Sequence, residues 1–185
     1  FLEDHLGNLW IGTDPGGLNR LDRRTGTFRY YRSRSDDPTT IRSDAVNALY
    51  QDSRNDIWLG GWDGGLGRID PATGRVTRYE HDPDDPATIG SNHVWSILEL
   101  RDGGMLIGTW HGADFFDRGT GRFSRLAERY PEAGTVGTYA TAEDRQGNIW
   151  LARSNGALHI DRASGRVTSY HNDPEDPQSL GEGLV

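Results

Sequence analysis

The sequence contains no cysteine, no lysine and no long apolar stretch. Without cysteine the chain can form neither a disulfide framework nor a thiolate nucleophile, and it cannot bind zinc through thiolates. A membrane-spanning helix needs about 20 consecutive, mainly apolar residues, and no run in the sequence approaches that length. We therefore expect no direct insertion of this segment into a membrane.

The charge balance is acidic, with 20 arginines against 28 Asp and Glu and a formal net charge of −8. Nucleic-acid binding depends on clustered cations that displace the counterions of the phosphates. The sequence has no such basic cluster, so we expect no nucleic-acid partner. Only 34% of the residues are hydrophobic while 25 are glycine, a combination that indicates many short strands joined by tight turns.

One pattern occurs four times along the chain. Each copy has an apolar run, a Gly-rich turn, a second run that ends in Asp, a Thr-Gly or Ser-Gly turn, and a third run. The central residues of the first runs, Trp10, Trp58, Leu106 and Trp150, are separated by 48, 48 and 44 positions. A period in the forties that carries several short strands is typical of propeller blades. The sequence therefore predicts an all-β fold, a β-propeller of four-stranded antiparallel blades.

Each blade is predicted to hold strands A to D, ordered from the propeller axis outward. Strand A is clearest at 46–50 and 94–98, and strand B carries the repeated tryptophan. The apolar residues of strand B are consecutive, which is typical of a strand buried on both faces. Trp10, Trp58 and Trp150 are therefore predicted to lie in the core. No segment shows helical periodicity, and no helix is predicted.

The predicted blades comprise residues 1–35, 36–83, 84–131 and 132–178, and 179–185 is predicted to begin the next blade. About four blades are thus present, and we expect them to form part of a larger propeller. The alternative is a closed ring of four blades, in which the two ends of the chain share one innermost strand. Exposed strand edges and apolar blade faces are templates for pairing with another chain. The expected partners are the remaining blades in cis or a second copy in trans.

The B–C turns and the D-to-A connectors are predicted to share one face of the propeller, and these segments vary most among the repeats. Variable loops on a repeated framework commonly carry binding sites. Trp62 and Trp110 lie in two of these turns, next to Asp63 and His111. An indole flanked by polar groups suits stacking on a sugar ring. The alternative is that each tryptophan only covers the neighbouring blade.

A second group of candidates lies at the start of strand A, near the mouth of the central channel. Asn92, His93 and Trp95 occupy this place in the third blade, and Asp44 and Asn47 occupy it one blade earlier. These side chains could contact a ligand bound over the axis. The alternative is an ordinary channel lining with bound water.

Metal binding and catalysis have no support in the sequence. The Asp- and Pro-rich connectors, such as 82–86, lack the alternating ligand spacing of a calcium loop, and the six histidines show no metal-binding spacing. No Gly-x-Ser-x-Gly elbow and no phosphate-binding loop is present. We therefore predict no catalytic residue, no metal and no cofactor, and a propeller lyase or glycosidase is the enzyme alternative.

The residues from Asp4 to Asp22, with the run Gly-Asn-Leu-Trp-Ile-Gly-Thr followed by Gly-Gly-Leu-Asn-Arg-Leu-Asp, resemble the two-component regulator propeller repeat. The resemblance extends over essentially the whole chain. Three turns depart from the usual form, at Trp62, at 113–114 and at 153–155, and the third unit lacks the strand-B tryptophan.

This resemblance implies the extracytoplasmic, periplasmic part of a large bacterial membrane signalling protein, such as a histidine kinase, a hybrid two-component system or a diguanylate cyclase. It further implies a sensor that recognises a carbohydrate or another small polar ligand, such as an oligosaccharide. The alternative is a protein–protein interaction or oligomerisation platform without a small-molecule ligand.

Overall fold

The structure, a computed structural model, describes residues 1–181 and 183. The predicted first strand of a further blade depends on Glu182, Leu184 and Val185, which lie outside the described residues. The described residues form sixteen strands in four antiparallel sheets, and in each sheet the strands follow chain order. The predicted all-β architecture of four-stranded antiparallel blades is confirmed.

We call the four sheets blades I to IV. Blade I comprises β1 (Leu2–Glu3), β2 (Leu9–Thr13), β3 (Gly17–Asp22) and β4 (Thr27–Tyr31). Blade II comprises β5 (Val46–Gln51), β6 (Ile57–Gly61), β7 (Leu66–Ile69) and β8 (Val76–Tyr79). Blade III comprises β9 (Val94–Glu99), β10 (Met105–Thr109), β11 (Gly112–Asp117) and β12 (Arg122–Arg125). Blade IV comprises β13 (Thr138–Glu143), β14 (Ile149–Arg153), β15 (Gly156–Ile160) and β16 (Val167–Tyr170).

The blades pack face to face in chain order, and the inner strands β5, β9 and β13 contact one another in turn. The hydrophobic core consists of three clusters, and each lies between two successive blades. Trp10 belongs to the cluster between blades I and II, and Trp58 to the cluster between blades II and III. Both indoles are fully buried, because the next blade covers the face on which they lie.

The connector between blades III and IV departs from the sequence-based expectation. It contains one helical turn, α1 (Leu126–Arg129), followed by a 3-10 turn at Pro131–Ala133, where no helix is predicted. Leu126, Tyr130 and Ala133 are buried against the cluster between blades III and IV. Their spacing of four and three residues places one short apolar stripe against the core, which is too brief to be seen as a periodic pattern.

In three blades the strand-B indole is tied to an aspartate six residues earlier. The indole Nε1 donates to a carboxylate oxygen at 2.8 Å in Trp10–Asp4, 2.9 Å in Trp58–Asp52 and 3.2 Å in Trp150–Asp144. In blade III both partners differ, since Leu100 stands at the position of the aspartate and Leu106 at the position of the tryptophan. An aspartate there would be buried without its indole donor, so the two substitutions belong together.

The carboxylates of these pairs are held ionised. Burial disfavours the charge of Asp52, but hydrogen bonds from Trp58, Arg118 and the backbone outweigh burial and lower the pKa of its carboxyl. The pKa of Asp4 is lowered in the same way, against burial, by Asn8 and Trp10. Each carboxylate also accepts backbone N–H groups of the A–B turn, so one side chain fixes the turn and the core indole.

Close packing between blades also requires a residue without a side chain at one position of strand B, and this residue is glycine in three blades. A Cβ built on Gly12 would lie 2.4 Å from the carbonyl oxygen of Val46, and one on Gly60 would lie 2.4 Å from Val94 Cγ1. Gly108 is similarly crowded by Ser96 and by Thr138 of the next blade. Blade IV has Ala152 at this position, on a face against which no described blade packs.

The first prediction concerns the core indole. Trp58→Ala should lower the free energy of unfolding by about 3–5 kcal/mol, because it removes a large aromatic side chain from a packed interface. Trp62→Ala should cost much less, because 40% of that side chain's surface is exposed. Chemical denaturation measures both, and equal losses would contradict the assignment of Trp58 to the core and Trp62 to the surface.

The second prediction concerns the pairing of aspartate with indole. In a double-mutant cycle, Asp4→Leu and Trp10→Leu should show a coupling of about 1.5–3 kcal/mol, as for a buried hydrogen bond to a charged group. The double variant should be more stable than the sum of the single losses implies. Losses that add to within about 0.5 kcal/mol would show that the two side chains are energetically independent.

The third prediction concerns the glycine at the blade interface. Gly60→Ala should destabilise the protein by about 1–3 kcal/mol, since the new methyl group overlaps Val94 and the blades must separate. The matched control is the reverse exchange, Ala152→Gly, on a face against which no described blade packs, and it should cost at most about 1 kcal/mol. Thermal and chemical unfolding of both variants compare the two, and a harmless Gly60→Ala would contradict close packing here.

Candidate functional site

The B–C turns and the D-to-A connectors lie on one face of the structure, which we call the loop face. Backbone hydrogen bonds join the two kinds of segment: Trp62 N–H donates to Ala45 O at 3.2 Å, and Trp110 N–H donates to His93 O at 3.0 Å. Gly65 N–H likewise donates to Asn92 O at 2.8 Å, across blades II and III. The turn tryptophans are therefore held beside the first residues of the inner strands.

Four of the predicted site residues form an aromatic cluster on this face. The ring centroid of Trp62 in blade II lies 4.9 Å from His93, 4.9 Å from Trp95 and 6.0 Å from Trp110, all of blade III. Trp95 and Trp110 are 6.4 Å apart. Trp62 and Trp110 keep 40% and 44% of their surface exposed. Trp62 thus covers the neighbouring blade and also offers its ring to solvent.

Tyr139 of blade IV extends the aromatic cluster, since its ring centroid lies 5.7 Å from that of Trp95. Tyr139 is not among the site residues predicted from the sequence. Tyr139 occupies the same structural position as Trp95, because both are the unpaired residue of a β-bulge near the start of the inner strand. Asn47 is the corresponding residue of blade II. Bulges re-aim side chains and are common beside binding sites, and an alignment of the repeats could have identified the tyrosine.

His93 is fixed in orientation by the neighbouring turn. The backbone N–H of Asp63 donates to His93 Nδ1 at 2.8 Å, so the neutral ring carries its proton on Nε2. Asp63 adopts a left-handed backbone conformation with φ of 52°, and its carboxylate lies 3.7 Å from Arg42. The cluster therefore combines apolar ring surface with an imidazole donor and an acidic side chain at its edge.

The two remaining predicted site residues, Asn92 and His111, are not part of the aromatic cluster. Asn92 Oδ1 accepts the backbone N–H of His81 at 2.8 Å, which ties the connector to the start of the inner strand. Asp44 does the same one blade earlier, by accepting the N–H of Ser33 at 2.7 Å. His111 is exposed in the turn after Trp110, and its backbone N–H donates to Thr109 Oγ1.

Two polar atoms beside the cluster have no hydrogen-bond partner among the described residues. These are the buried Nε1 of Trp95, the bulge residue of β9, and the buried Oγ of Ser96, which follows it. A buried donor without an acceptor is unfavourable unless water or a ligand completes it. The inner strand thus leaves one free indole donor next to the exposed rings.

A groove of about 520 Å³ lies on the opposite face and is lined by hairpin residues of blade III with Arg54 of blade II. Its central cation, Arg118, is already engaged, with Nη1 2.8 Å from Asp52 and Nη2 2.5 Å from Glu99. Burial disfavours the charge of Arg118, but the hydrogen bonds that its guanidinium donates to Glu99 and Asp52 outweigh burial and raise its pKa. This ion network joins blades II and III, which indicates a structural role for the groove.

Among residues 1–181 and 183, no group of three or more His, Asp and Glu side chains is arranged to hold a metal ion. No helix in residues 1–181 has the length and apolar character required to cross a bilayer.

Comparison with known proteins agrees with the repeat pattern. The family model of the two component regulator propeller matches residues 40–63 and 88–111. These ranges comprise strands A and B of blades II and III, with the B–C turns that carry Trp62 and Trp110. Comparison with curated proteins finds no match.

Several solved structures share the fold. The extracellular domain of BT3049, described as a hybrid two component system of B. thetaiotaomicron, superposes with a TM-score of 0.80 at 22% identity, over 91% of this chain and 24% of that one. The extracellular domain of BT4673 from the same organism gives a TM-score of 0.78 at 19% identity, over 96% and 23%. Virginiamycin B lyase from Staphylococcus aureus gives a TM-score of 0.66 at 16% identity, over 95% and 55%.

The chain thus spans about a quarter of the length of the two extracellular domains that it resembles. At sequence identities of 16% to 22%, the similarity to these solved structures establishes the fold. Together with the family match, it confirms the resemblance that the sequence predicts: the chain is a β-propeller segment, and residues 40–63 and 88–111 match the two component regulator propeller repeat.

Proposed function

We propose that this chain is the ligand-binding part of an extracytoplasmic sensor of a bacterial two-component-type signalling protein. We further propose that the aromatic cluster on its loop face binds a carbohydrate or another small polar ligand. The observation that carries the proposal is the cluster itself, with Trp62 and Trp110 exposed and 6.0 Å apart. The extracellular location of the domains with the same fold supports the placement outside the cytoplasm.

The chemistry of the aromatic cluster suits a sugar better than a flat aromatic ligand. The planes of Trp62 and Trp110 are inclined by 42°, so they form an open angle rather than a parallel slot. Two indole faces at such an angle can each contact the C–H side of a pyranose ring. At the edge of the aromatic cluster, the imidazole of His93 and the carboxylate of Asp63 supply a donor and an acceptor of the kind that sugar hydroxyls need.

A catalytic function has less support. The virginiamycin B lyase shares the fold at 16% identity, which transfers no activity. Two acidic groups with shifted pKa values serve turns and blade contacts. The pKa of Asp52 is lowered within a structural network, and burial raises that of Asp114, which accepts the N–H of Gly90 and faces Arg125. We therefore propose binding without catalysis.

The fourth prediction tests the ligand site. In a glycan-array screen followed by intrinsic tryptophan fluorescence, a bound sugar should change the indole emission. Trp62→Ala and Trp110→Ala should each weaken that binding about 10-fold or more, the loss of a contact worth 1–2 kcal/mol. Circular dichroism melts should show both variants folded.

The matched control is Tyr30→Ala, which removes a 64% exposed aromatic ring that lies outside the aromatic cluster. Binding by this variant should equal that of the unmodified chain. Full-strength binding by a chain that lacks both Trp62 and Trp110 would move the site elsewhere. The absence of any glycan ligand, together with capture of a defined protein partner through the same residues, would favour the interaction-platform alternative.

A further inference from the structure

Blade IV carries a buried arginine at the loop face. Arg153 is the last residue of β14 and leads into the B–C turn of this blade. The corresponding residues of the other three blades are small, with Thr13, Gly61 and Thr109 at the end of strand B. Only 6% of the surface of Arg153 is exposed. A long cationic side chain thus occupies a place that the other repeats fill with a hydroxyl or with no side chain.

The side chain of Arg153 faces blade III and not the uncovered side of blade IV. Leu151, two residues earlier on the same strand, belongs to the hydrophobic cluster between blades III and IV, and alternate residues of a strand point to the same side of the sheet. Trp150 and Ala152 point to the opposite side and are only partly buried. The burial of Arg153 therefore arises at an interface between two described blades.

The guanidinium of Arg153 has no partner among the described residues. Its Nε is enclosed without an acceptor. Its two Nη groups donate to no described residue either, and they are not among the enclosed atoms, so a ligand can reach them. Arg118 shows how this fold otherwise treats a buried arginine: its side chain is 8% exposed and is paired with both Asp52 and Glu99.

The two arginines differ accordingly in their electrostatics. Burial lowers the pKa of Arg153, and no carboxylate of the described residues offsets it, whereas the paired carboxylates raise the pKa of Arg118. An arginine keeps its charge in a protein even so, and a buried charge without a counter-ion is unfavourable. The environment of Arg153 therefore favours an anion that another molecule supplies.

Arg153 lies beside the aromatic cluster. Its register partner on β13 is Thr138, and the Cα atoms of opposed residues in antiparallel strands are about 5 Å apart. The next residue, Tyr139, has its ring centroid 5.7 Å from that of Trp95. Thr138 also packs against blade III, since its carbonyl oxygen would lie 2.8 Å from a Cβ built on Gly108. A short oligosaccharide on the aromatic cluster can therefore extend to the guanidinium.

We propose that Arg153 binds a carboxylate of the ligand that the aromatic cluster holds, so that this ligand is an acidic sugar. The planar guanidinium presents N–H groups in a fork that matches the two oxygens of a carboxylate. The carboxylate supplies the missing counter-ion, while the indoles contact the C–H side of the sugar ring. The inference rests on the proposed function and adds to it the charge of the ligand and the residue that recognises this charge.

The first test observes Arg153 itself by nuclear magnetic resonance. In a chain isotopically labelled at the arginine nitrogens, the Nε–H signal of Arg153 is assigned by its loss in Arg153→Met. Sodium glucuronate and sodium acetate should each shift this signal relative to sodium chloride at the same ionic strength, and glucose should not. A signal that neither carboxylate moves would overturn the proposal, whether or not a sugar binds the aromatic cluster.

The second test connects the charge to the aromatic cluster. In titrations followed by intrinsic tryptophan fluorescence, glucuronate should bind about 10-fold or more tightly than glucose, as for a hydrogen bond to a charged group. Arg153→Met should remove this preference, and Arg153→Lys should restore only part of it, because an ammonium lacks the planar fork.

Two outcomes of these titrations have different meanings. Equal affinity of the unmodified chain for glucose and glucuronate would overturn this inference and leave the proposed function intact. If carboxylates shift the Arg153 signal while no sugar changes the tryptophan emission, the proposed sugar site fails, and so does the assignment of an acidic sugar to Arg153.

The matched control is Arg54→Met, which removes an exposed arginine from the A–B turn of blade II on the opposite face and should keep the preference for glucuronate. Arg153→Met should melt at or above the temperature of the unmodified chain, because an apolar side chain replaces an unpaired buried charge. A variant that melts well below the unmodified chain would show that the fold itself satisfies this charge, and would overturn the proposal.

Discussion

The packing of the strand-B tryptophan or leucine of one blade (Trp10, Trp58 and Leu106) against aliphatic side chains of the next blade is the contact on which the structure depends. A single sheet cannot cover its own two faces, so strand B of each blade is buried by the blades that pack against it. The three core clusters accordingly lie between blades. Secondary details follow from this contact: the aspartate that satisfies the buried indole N–H, and the glycine that lets the next inner strand approach.

The same packing assembles the candidate site. Trp62 belongs to blade II, and His93, Trp95 and Trp110 belong to blade III, so the aromatic cluster exists only because these blades are in register. The β-bulge that presents Trp95 in blade III presents Tyr139 in blade IV. A site built from corresponding positions of successive repeats can change its ligand by substitution of single side chains while the framework is kept.

Much of the framework is encoded locally and was predictable. The spacing of Trp10, Trp58 and Trp150 predicts blades and buried indoles, although Trp150 is only partly covered. The link between Asp4 and Trp10 could also have been inferred, because Leu100 and Leu106 replace both partners at once. The aromatic cluster could not be derived in full, since distances between blades depend on how the sheets pack. The helical turn at Leu126 escaped prediction because its apolar stripe spans only two turns.

Hydrogen exchange of the backbone amides in strand B tests the central role of blade packing most directly. At concentrations where the chain is monomeric, β6 and β10 are covered on both faces and should exchange slowest, while β2 and β14 each have one uncovered face and should exchange faster. Equal protection of all four strands would contradict this account, because the stability of each blade would then come from its own sheet rather than from its neighbours.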